Sequence, residues 1–449
     1  MELVTRTHDR STSRVEKGDL RADLLVAVLL VCAALALYLY QLGTVPANLT
    51  ADEVDNLSDI VKIRAGVGPG LFGLDWKPNP AYSLYLMAYA MNLFGVSVAG
   101  FRATSAALGA LTLAPTYLLA REQVGRLAAA LAAILLGTTV WFLNFSRSGW
   151  ENVHIAFYGT MAALTLSVAL RRDRLPLYIL PGIFAGLAVN GYFSGKLVPV
   201  GLIAYLPFAL LLNRDRWRRV LLGYGIWLAV CLALFAPQVP EIVNNWAYYT
   251  RRSAGVSVFH AKLPYEGADS LPALLVHQVV RTARGFLLMD GSVVGLPRYS
   301  PLRQPIFGLV TAALYVLGLA LGAIHWRRTA LWACMMGTAL VGTQVFTLNT
   351  PDLARGIGAA PFMVLFASLP LSIVTQRRWR WQNALRVAAC TVVLAAAVSG
   401  VATYFTWIQQ PATLDARTPA IADSAFQSFV SAKHAELAAR RLGETTQVQ

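Results

Sequence analysis

Charge is scarce in this 449-residue chain: 14% of its residues are Asp, Glu, Lys or Arg, 56% are hydrophobic, and the mean hydropathy is +0.53. Soluble domains carry roughly a quarter charged residues, so a soluble enzyme is excluded and an integral membrane protein expected. Acids are the scarcer sign, 23 against 38 Lys and Arg, giving a formal net charge of +15. The bases fall in short clusters between apolar runs, where they orient a chain in a bilayer, so nucleic acid is not expected as a partner. Only four cysteines occur, Cys32, Cys231, Cys334 and Cys390, each inside an apolar run and without a CxxC or Cys/His grouping. That leaves no disulfide framework or thiol metal site, and they read as packing residues. The six histidines show no ligand spacing, and HExxH, P-loop and GxSxG motifs are missing. Metal catalysis therefore has no positive signal, although an acidic loop can recruit a divalent cation.

What the chain has is long apolar runs. About 20 apolar residues cross the hydrocarbon core, and eleven spans are expected near 22–42, 101–120, 126–145, 152–170, 176–193, 196–213, 219–238, 305–324, 329–348, 357–375 and 384–408. A twelfth candidate, 80–95, is the shortest and contains Asn92. Residues 1–21 are polar, with Arg6, Arg10, Arg14, Lys17 and Arg21 and no convincing cleavage site, so a cytoplasmic N-terminal segment and a retained first helix are expected. The basic clusters at 121–126, 171–174, 213–219, 325–328 and 376–382 all fall on the cytoplasmic side if 80–95 is re-entrant or lies along the outer face. The alternative is a different division of 126–170. On the first topology, a transmembrane domain over 22–408 carries outer loops at 43–100 and 239–304, and a polar tail, 409–449, lies outside with one short helix near 419–441. The loop 239–304 holds seven basic residues against four acids, and its 271–289 stretch reads as an amphipathic surface helix.

Chemistry is expected in the outer loops. The stretch Thr50–Asp59 reads as a helix with Asp52, Asp55 and Asp59 along one face and Val54, Leu57 and Val61 along another, which suits the lipid surface. Thr50 and Glu53 have capping-box spacing, so Glu53 is either a cap or a catalytic group. Asp52 is the candidate general base, whereas Asp55 and Asp59 read as a solvated face. Lys77 marks the headgroup level or binds phosphate. In Ser146–Asn152, Arg147 either anchors at the interface or contacts a phosphate or sugar, with Glu151 or Asn152 hydrogen bonding beside it. Lys196, flanked by apolar helices and following Gly195, requires an anionic partner, which is a carboxylate or a ligand phosphate. Asp352 and Arg355 form a surface pair, or Arg355 is a further phosphate cation.

These motifs resemble the polytopic GT-C glycosyltransferases that use polyprenyl-phosphate-linked sugars, especially the branch similar to protein O-mannosyltransferases and the lipid A aminoarabinose transferase. The likeness covers roughly residues 20–240 and, more faintly, 340–375. It rests on Asp52-Glu53, then Lys77-Pro78, Leu93-Phe94-Gly95, Arg102 opening a helix that ends Leu119-Ala120-Arg121, Ser146-Arg147, and Gly195-Lys196. Two departures stand out: Glu151-Asn152 replaces an Asp that the family often has, and Arg355 lacks the usual following aromatic. The resemblance implies an all-α GT-C membrane fold of about 11–13 transmembrane helices with outer-face amphipathic helices. It also implies inverting transfer of a sugar from a polyprenyl-phosphate donor to a hydroxyl of a glycan, lipid or protein at the outer face of the cytoplasmic membrane. In that scheme the Asp52-Glu53 pair is catalytic, and Lys77, Arg147, Glu151, Asn152, Lys196 and Arg355 bind substrate. A transporter or lipid flippase is the alternative, to be told apart by charges at the bilayer midplane and by repeat symmetry. An inactive scaffold of the same fold has no distinguishing signal in the sequence.

Overall fold

A computed structural model describes residues 17–294, 299–301, 303–376, 380–410 and 423–447. The expected cytoplasmic segment therefore lies largely outside the described residues, as do residues 377–379 of the fifth basic cluster and 411–422 of the tail. The described chain is helical, and each of the eleven expected apolar runs forms helix. The first ten helices are α1 (Lys17–Leu39), α2 (Ala51–Arg64), α3 (Tyr82–Phe94), α4 (Val98–Val124), α5 (Arg126–Thr138), α6 (Val140–Ser146), α7 (His154–Arg172), α8 (Ile179–Val189), α9 (Leu197–Leu212) and α10 (Trp217–Phe235). After them come α11 (Val239–Asn244), α12 (Trp246–Val256), α13 (Leu271–Thr282), α14 (Leu309–Ile324), α15 (Trp326–Leu340), α16 (Leu353–Gly356), α17 (Ala360–Gln376), α18 (Gln382–Trp407) and α19 (Asp423–Gln447).

Among the described residues, seven helical segments are long and apolar enough to cross a bilayer by length and composition, and an eighth is the α5–α6 pair, bent by 64°. The bend falls at Thr139, whose extended backbone breaks the helix and whose hydroxyl accepts the Phe142 N–H to restart it. The remaining expected spans are the shorter apolar helices Leu175–Val189 and Leu309–Ile324 and the run from Trp326 to Val345. The 80–95 candidate becomes α3, which has 13 residues. At about 1.5 Å per residue it reaches about 20 Å, short of the ~30 Å core.

Small residues let the helices close on one another. A Cβ on Gly318 of α14 would sit 2.0 Å from the Phe366 carbonyl of α17, and one on Gly109 of α4 would sit 2.3 Å from Ser146 Oγ. The basic clusters meet at one end of the bundle. Asp23 on α1 takes Arg121 and Arg126 at 2.7 Å each, Glu122 pairs with Arg171, and Asp173 takes Arg219 at 3.2 Å. At the opposite end α2, α3, the start of α4 and α19 share a separate apolar cluster, in which Phe426 and Val430 of the tail helix are buried. Asp423 accepts the Val98 N–H at 3.1 Å, fixing α19 to the first turn of α4. The helix α2 is thus packed into protein rather than laid on lipid, with Leu57, Ile60 and Val61 on one side and Asp52, Asn56 and Asp59 on the other all buried.

Candidate functional site

The site is built on the N-terminus of α2. Thr50 Oγ1 accepts the Glu53 N–H at 3.2 Å and Glu53 Oε2 accepts the Thr50 N–H at 2.8 Å, the reciprocal capping box expected from the sequence. The other Glu53 oxygen accepts Arg102 Nε at 3.0 Å and the Gly149 N–H at 2.6 Å. Arg102 in turn donates to the carbonyls of Leu42, Pro46 and Asn48. Glu53 therefore joins α2, α4 and the 146–151 turn, and its side chain is sealed from solvent.

One residue earlier, Asp52 turns to the open side and pairs with Lys77 Nζ. The ammonium lies 4.3 Å from the Trp76 ring centroid and 4.6 Å from that of Trp150, so two aromatic faces help to hold it. Its loop is clasped by the face of α2 that carries Asp52, Asn56 and Asp59, at i, i+4 and i+7. Asp59 accepts the Trp76 N–H at 2.8 Å, and Asn56 Oδ1 accepts the Trp76 indole N–H at 2.8 Å. Asp59 is consequently buried, not solvated as expected, because its carboxylate is a loop anchor. Asp75 continues the clasp, accepting the N–H groups of Lys77 and Asn79 at 2.8 and 2.9 Å. Burial, followed by the Glu151 charge, pushes the Asp75 carboxyl well above its usual range.

Two adjoining cavities open at this end. The larger, about 530 Å³, is lined by Asp52, Lys77, Trp150, Tyr192, Arg252, Glu266, Arg281, Asp352 and Arg355 among others. The smaller, about 100 Å³, is lined by Lys77, Lys196, Arg252 and Arg355, with apolar Phe193, Leu197 and Val256 and, among the described residues, no carboxylate. Lys196 Nζ lies over the rings of Phe193 and Tyr249, at 4.2 and 4.3 Å. Arg355 pairs with Asp352 at 2.9 Å and donates to Thr347 Oγ1 and the Leu348 carbonyl. Among the described residues no three His, Cys, Asp or Glu side chains gather so as to hold a metal ion.

Of the eight residues expected at the site, Asp52, Lys77 and Arg355 line the larger cavity, while Lys196 joins Lys77 and Arg355 around the smaller. Glu53, Arg147, Glu151 and Asn152 line neither. Arg147 is fully buried, and its five donors reach the carbonyls of Leu37, Tyr38, Gln41 and Val45 and the Tyr404 hydroxyl. It closes the C-terminal end of α1, whose last carbonyls have no helical partner. Glu151 accepts from Asn56 Nδ2 and Asn152 donates to the Ala354 carbonyl at 3.5 Å, so both brace the site from behind. Tyr192, Arg252, Glu266 and Arg281 also line the larger cavity and are not among the residues expected there from the sequence. The basic excess of the 239–304 loop was the available signal for the two arginines.

Residues 78–240 match the family described as dolichyl-phosphate-mannose-protein mannosyltransferase, a segment that begins just after Lys77. The undecaprenyl phosphate-alpha-4-amino-4-deoxy-L-arabinose arabinosyl transferase of Pseudomonas aeruginosa (strain UCBPP-PA14) is 30% identical over 213 residues, or 44% of this chain and 38% of the relative. Its counterpart from Pseudomonas paraeruginosa (strain DSM 24068 / PA7) matches to the same extent. The matched segment spans well under half the length of these relatives. Among solved structures, ArnT from Cupriavidus metallidurans bound to undecaprenyl phosphate superposes with a TM-score of 0.56 at 15% identity, covering 92% of this chain and 77% of that one. The Archaeoglobus fulgidus oligosaccharyltransferase tethered to an acceptor peptide gives 0.54 at 16%, covering 87% and 56%. The fold is the all-α GT-C fold.

Proposed function

We propose that this chain, a polytopic membrane protein with the GT-C fold, transfers a sugar from a polyprenyl-phosphate-linked donor to an acceptor hydroxyl at the outer face of the cytoplasmic membrane, inverting the anomeric carbon. The division of charge between the two cavities carries this reading. Lys77, Lys196, Arg252 and Arg355 line the smaller space with no carboxylate among the described residues on its wall, and the partners of Lys77 and Arg355, Asp52 and Asp352, line the larger one together with Glu266. A lipid-linked phosphate suits the first, its charge met by Lys77, Lys196, Arg252 and Arg355 and its apolar end by Phe193, Leu197 and Val256. The sugar and the acceptor suit the second.

The reaction follows from that placement. The acceptor oxygen attacks the anomeric carbon from the side opposite the phosphate, and its proton passes to the Asp52 carboxylate. The bond between the anomeric carbon and the phosphate oxygen breaks, and its electron pair leaves with the phosphate. Phosphate is a fair leaving group, so fixed cations that meet its developing charge serve better than a general acid. A single displacement inverts the configuration. The acceptor is a hydroxyl of a glycan, lipid or protein, and the relatives named for an undecaprenyl phosphate sugar support the class of donor. The charged groups of the site lie at helix ends and in loops, whereas a transporter or flippase calls for them at the midplane.

The test uses purified protein in lipid nanodiscs with a panel of labelled undecaprenyl-phosphate sugars and cell-envelope acceptors. Wild type is expected to transfer at least one sugar with inverted configuration, and Asp52→Asn to lose about 10²- to 10⁴-fold in rate. Equal transfer by both proteins rules out Asp52 as the base, and a retained configuration rules out the single displacement.

A further inference from the structure

A second large cavity, about 440 Å³, opens at the opposite, basic end, where the C-terminal ends of α4, α7 and α9 meet the start of α15. Arg171, Arg216, Arg327 and Arg328 line it against, among the described residues, a single carboxylate, Glu122. Glu122 pairs with Arg171, and Asp173, which does not line the cavity, takes Arg219 at 3.2 Å and lies 3.9 Å from Arg216. Among the described residues no carboxylate pairs with Arg327 or Arg328.

Two ordinary causes explain part of this. Helix C-termini favour cations, and basic clusters orient a membrane chain. Neither calls for a concave space with four guanidinium-bearing residues on its wall, since orienting charges work equally well on a convex, solvated surface. The cavity also has a rigid apolar side: Trp332 is 2% exposed and packs edge-on against Phe366 at 5.9 Å. Beside it, Trp217 and Trp326 are 47% and 37% exposed, the placement of indoles that sit at the headgroup level. The Arg327 guanidinium lies 5.6 Å from the Trp326 ring, which ties the basic rim to that level.

We infer that this cavity binds a phosphate-bearing anion, supplied by the headgroup of an anionic phospholipid of the surrounding leaflet. Arginine recognises phosphate with paired N–H donors, and basic pockets between transmembrane helices take anionic headgroups. A soluble phosphate has the same headgroup chemistry but makes no use of the apolar wall or of the interfacial depth. The site is at the other end of the bundle from Asp52, so it stands or falls independently of sugar transfer.

The experiment is native mass spectrometry of the full-length protein released from micelles, with phosphatidylglycerol, phosphatidylcholine and inorganic phosphate as probes. Wild type is expected to retain phosphatidylglycerol over phosphatidylcholine. The double variant Arg327→Gln/Arg328→Gln is expected to bind it about 25-fold more weakly, from roughly fivefold per basic residue. Arg218→Gln, exposed at the same end but outside the cavity, is expected to bind it as wild type does. Equal retention of both lipids, or equal loss in the Arg218 variant, overturns the site in favour of general surface charge. Displacement of phosphatidylglycerol by inorganic phosphate at equal concentration overturns the lipid source.

Discussion

Asp52 and Lys77, 25 residues apart, meet as an ion pair at the wall of the larger cavity, and Lys77 alone of the two also lines the smaller one. The lysine thus touches the proposed base on one side and faces the proposed phosphate seat on the other. Removing it should damage both functions at once. Lys77→Met is expected to raise the donor KM and to lower kcat, whereas Asp52→Asn lowers kcat and leaves the donor KM nearly unchanged. Steady-state kinetics on the two variants and their double mutant check this. Additive losses would show that the pair does not act as a unit.

Glu53 stands beside Asp52 in the sequence but answers to other partners. Its carboxylate and the Arg102 guanidinium are both sealed from solvent and hold three chain segments together. Deleting one member of a buried pair strands the other charge, which costs about 3–5 kcal/mol. Glu53→Ala should therefore lower the thermal midpoint strongly and reduce the yield of folded protein, and Arg102→Met should do likewise. A Glu53→Ala protein with normal stability and no activity would instead assign Glu53 to the chemistry.

The helices were legible because a bilayer imposes a length and a composition that an apolar run displays directly, and the Thr50–Glu53 box was legible because a cap is a local device. The partners of those residues were not. A carboxylate stripe on a short amphipathic helix looks alike whether it faces water or clasps a loop, so Asp59 read as wet. The Glu53–Arg102 pair spans 49 residues, and no local pattern announces it. Arg147 reads two ways in the sequence because a phosphate and the open carbonyl end of a helix offer the same thing to a guanidinium, several acceptors close together. Arg252, Glu266 and Arg281 come from a loop without periodicity, and only the return of that loop over the cavity brings them to Asp52.

Arg147 and Lys196 separate two kinds of cation. With every donor of Arg147 on a protein acceptor, Arg147→Met is expected to reduce stability by several kcal/mol while the surviving folded fraction keeps its donor KM. Lys196, over two aromatic rings at the smaller cavity, has no carboxylate partner there among the described residues. Lys196→Met should leave the stability within about 1 kcal/mol of wild type and raise the donor KM about tenfold. The opposite split between stability and KM would exchange the two roles.

The gathering of the basic clusters at one end makes the sidedness of the proposed site a prediction. In a protein whose four native cysteines are replaced by alanine, a cysteine at Asp269 on the cavity end is expected to react with a membrane-impermeant maleimide added to intact cells. One at Asp215 on the basic end is expected to react only after lysis. Both positions are exposed, so burial does not confuse the comparison. The reverse pattern would turn the molecule over in the membrane and place sugar transfer on the cytoplasmic side.

Asp75 gives the fold a pH dependence whose sign can be worked out. Its folded-state carboxyl titrates well above the ordinary value of 3.8, chiefly through burial. Between the unfolded and folded values the folded state holds a proton that the unfolded chain has released, so stability falls as pH rises through that window. The contribution is a penalty at neutral pH that acid relieves. Asp75→Asn keeps an oxygen for the Lys77 and Asn79 N–H groups without the charge, and it should be at least as stable as wild type near neutrality. Asp75→Ala leaves both N–H groups without their acceptor and should cost about 1–3 kcal/mol. Thermal midpoints of wild type and Asp75→Asn, measured from about pH 5 to pH 8 in one detergent, should differ least at the acid end and diverge in favour of the variant as pH rises. A constant difference across that range would mean that Asp75 does not titrate there, and a divergence in favour of wild type would reverse the sign of its role.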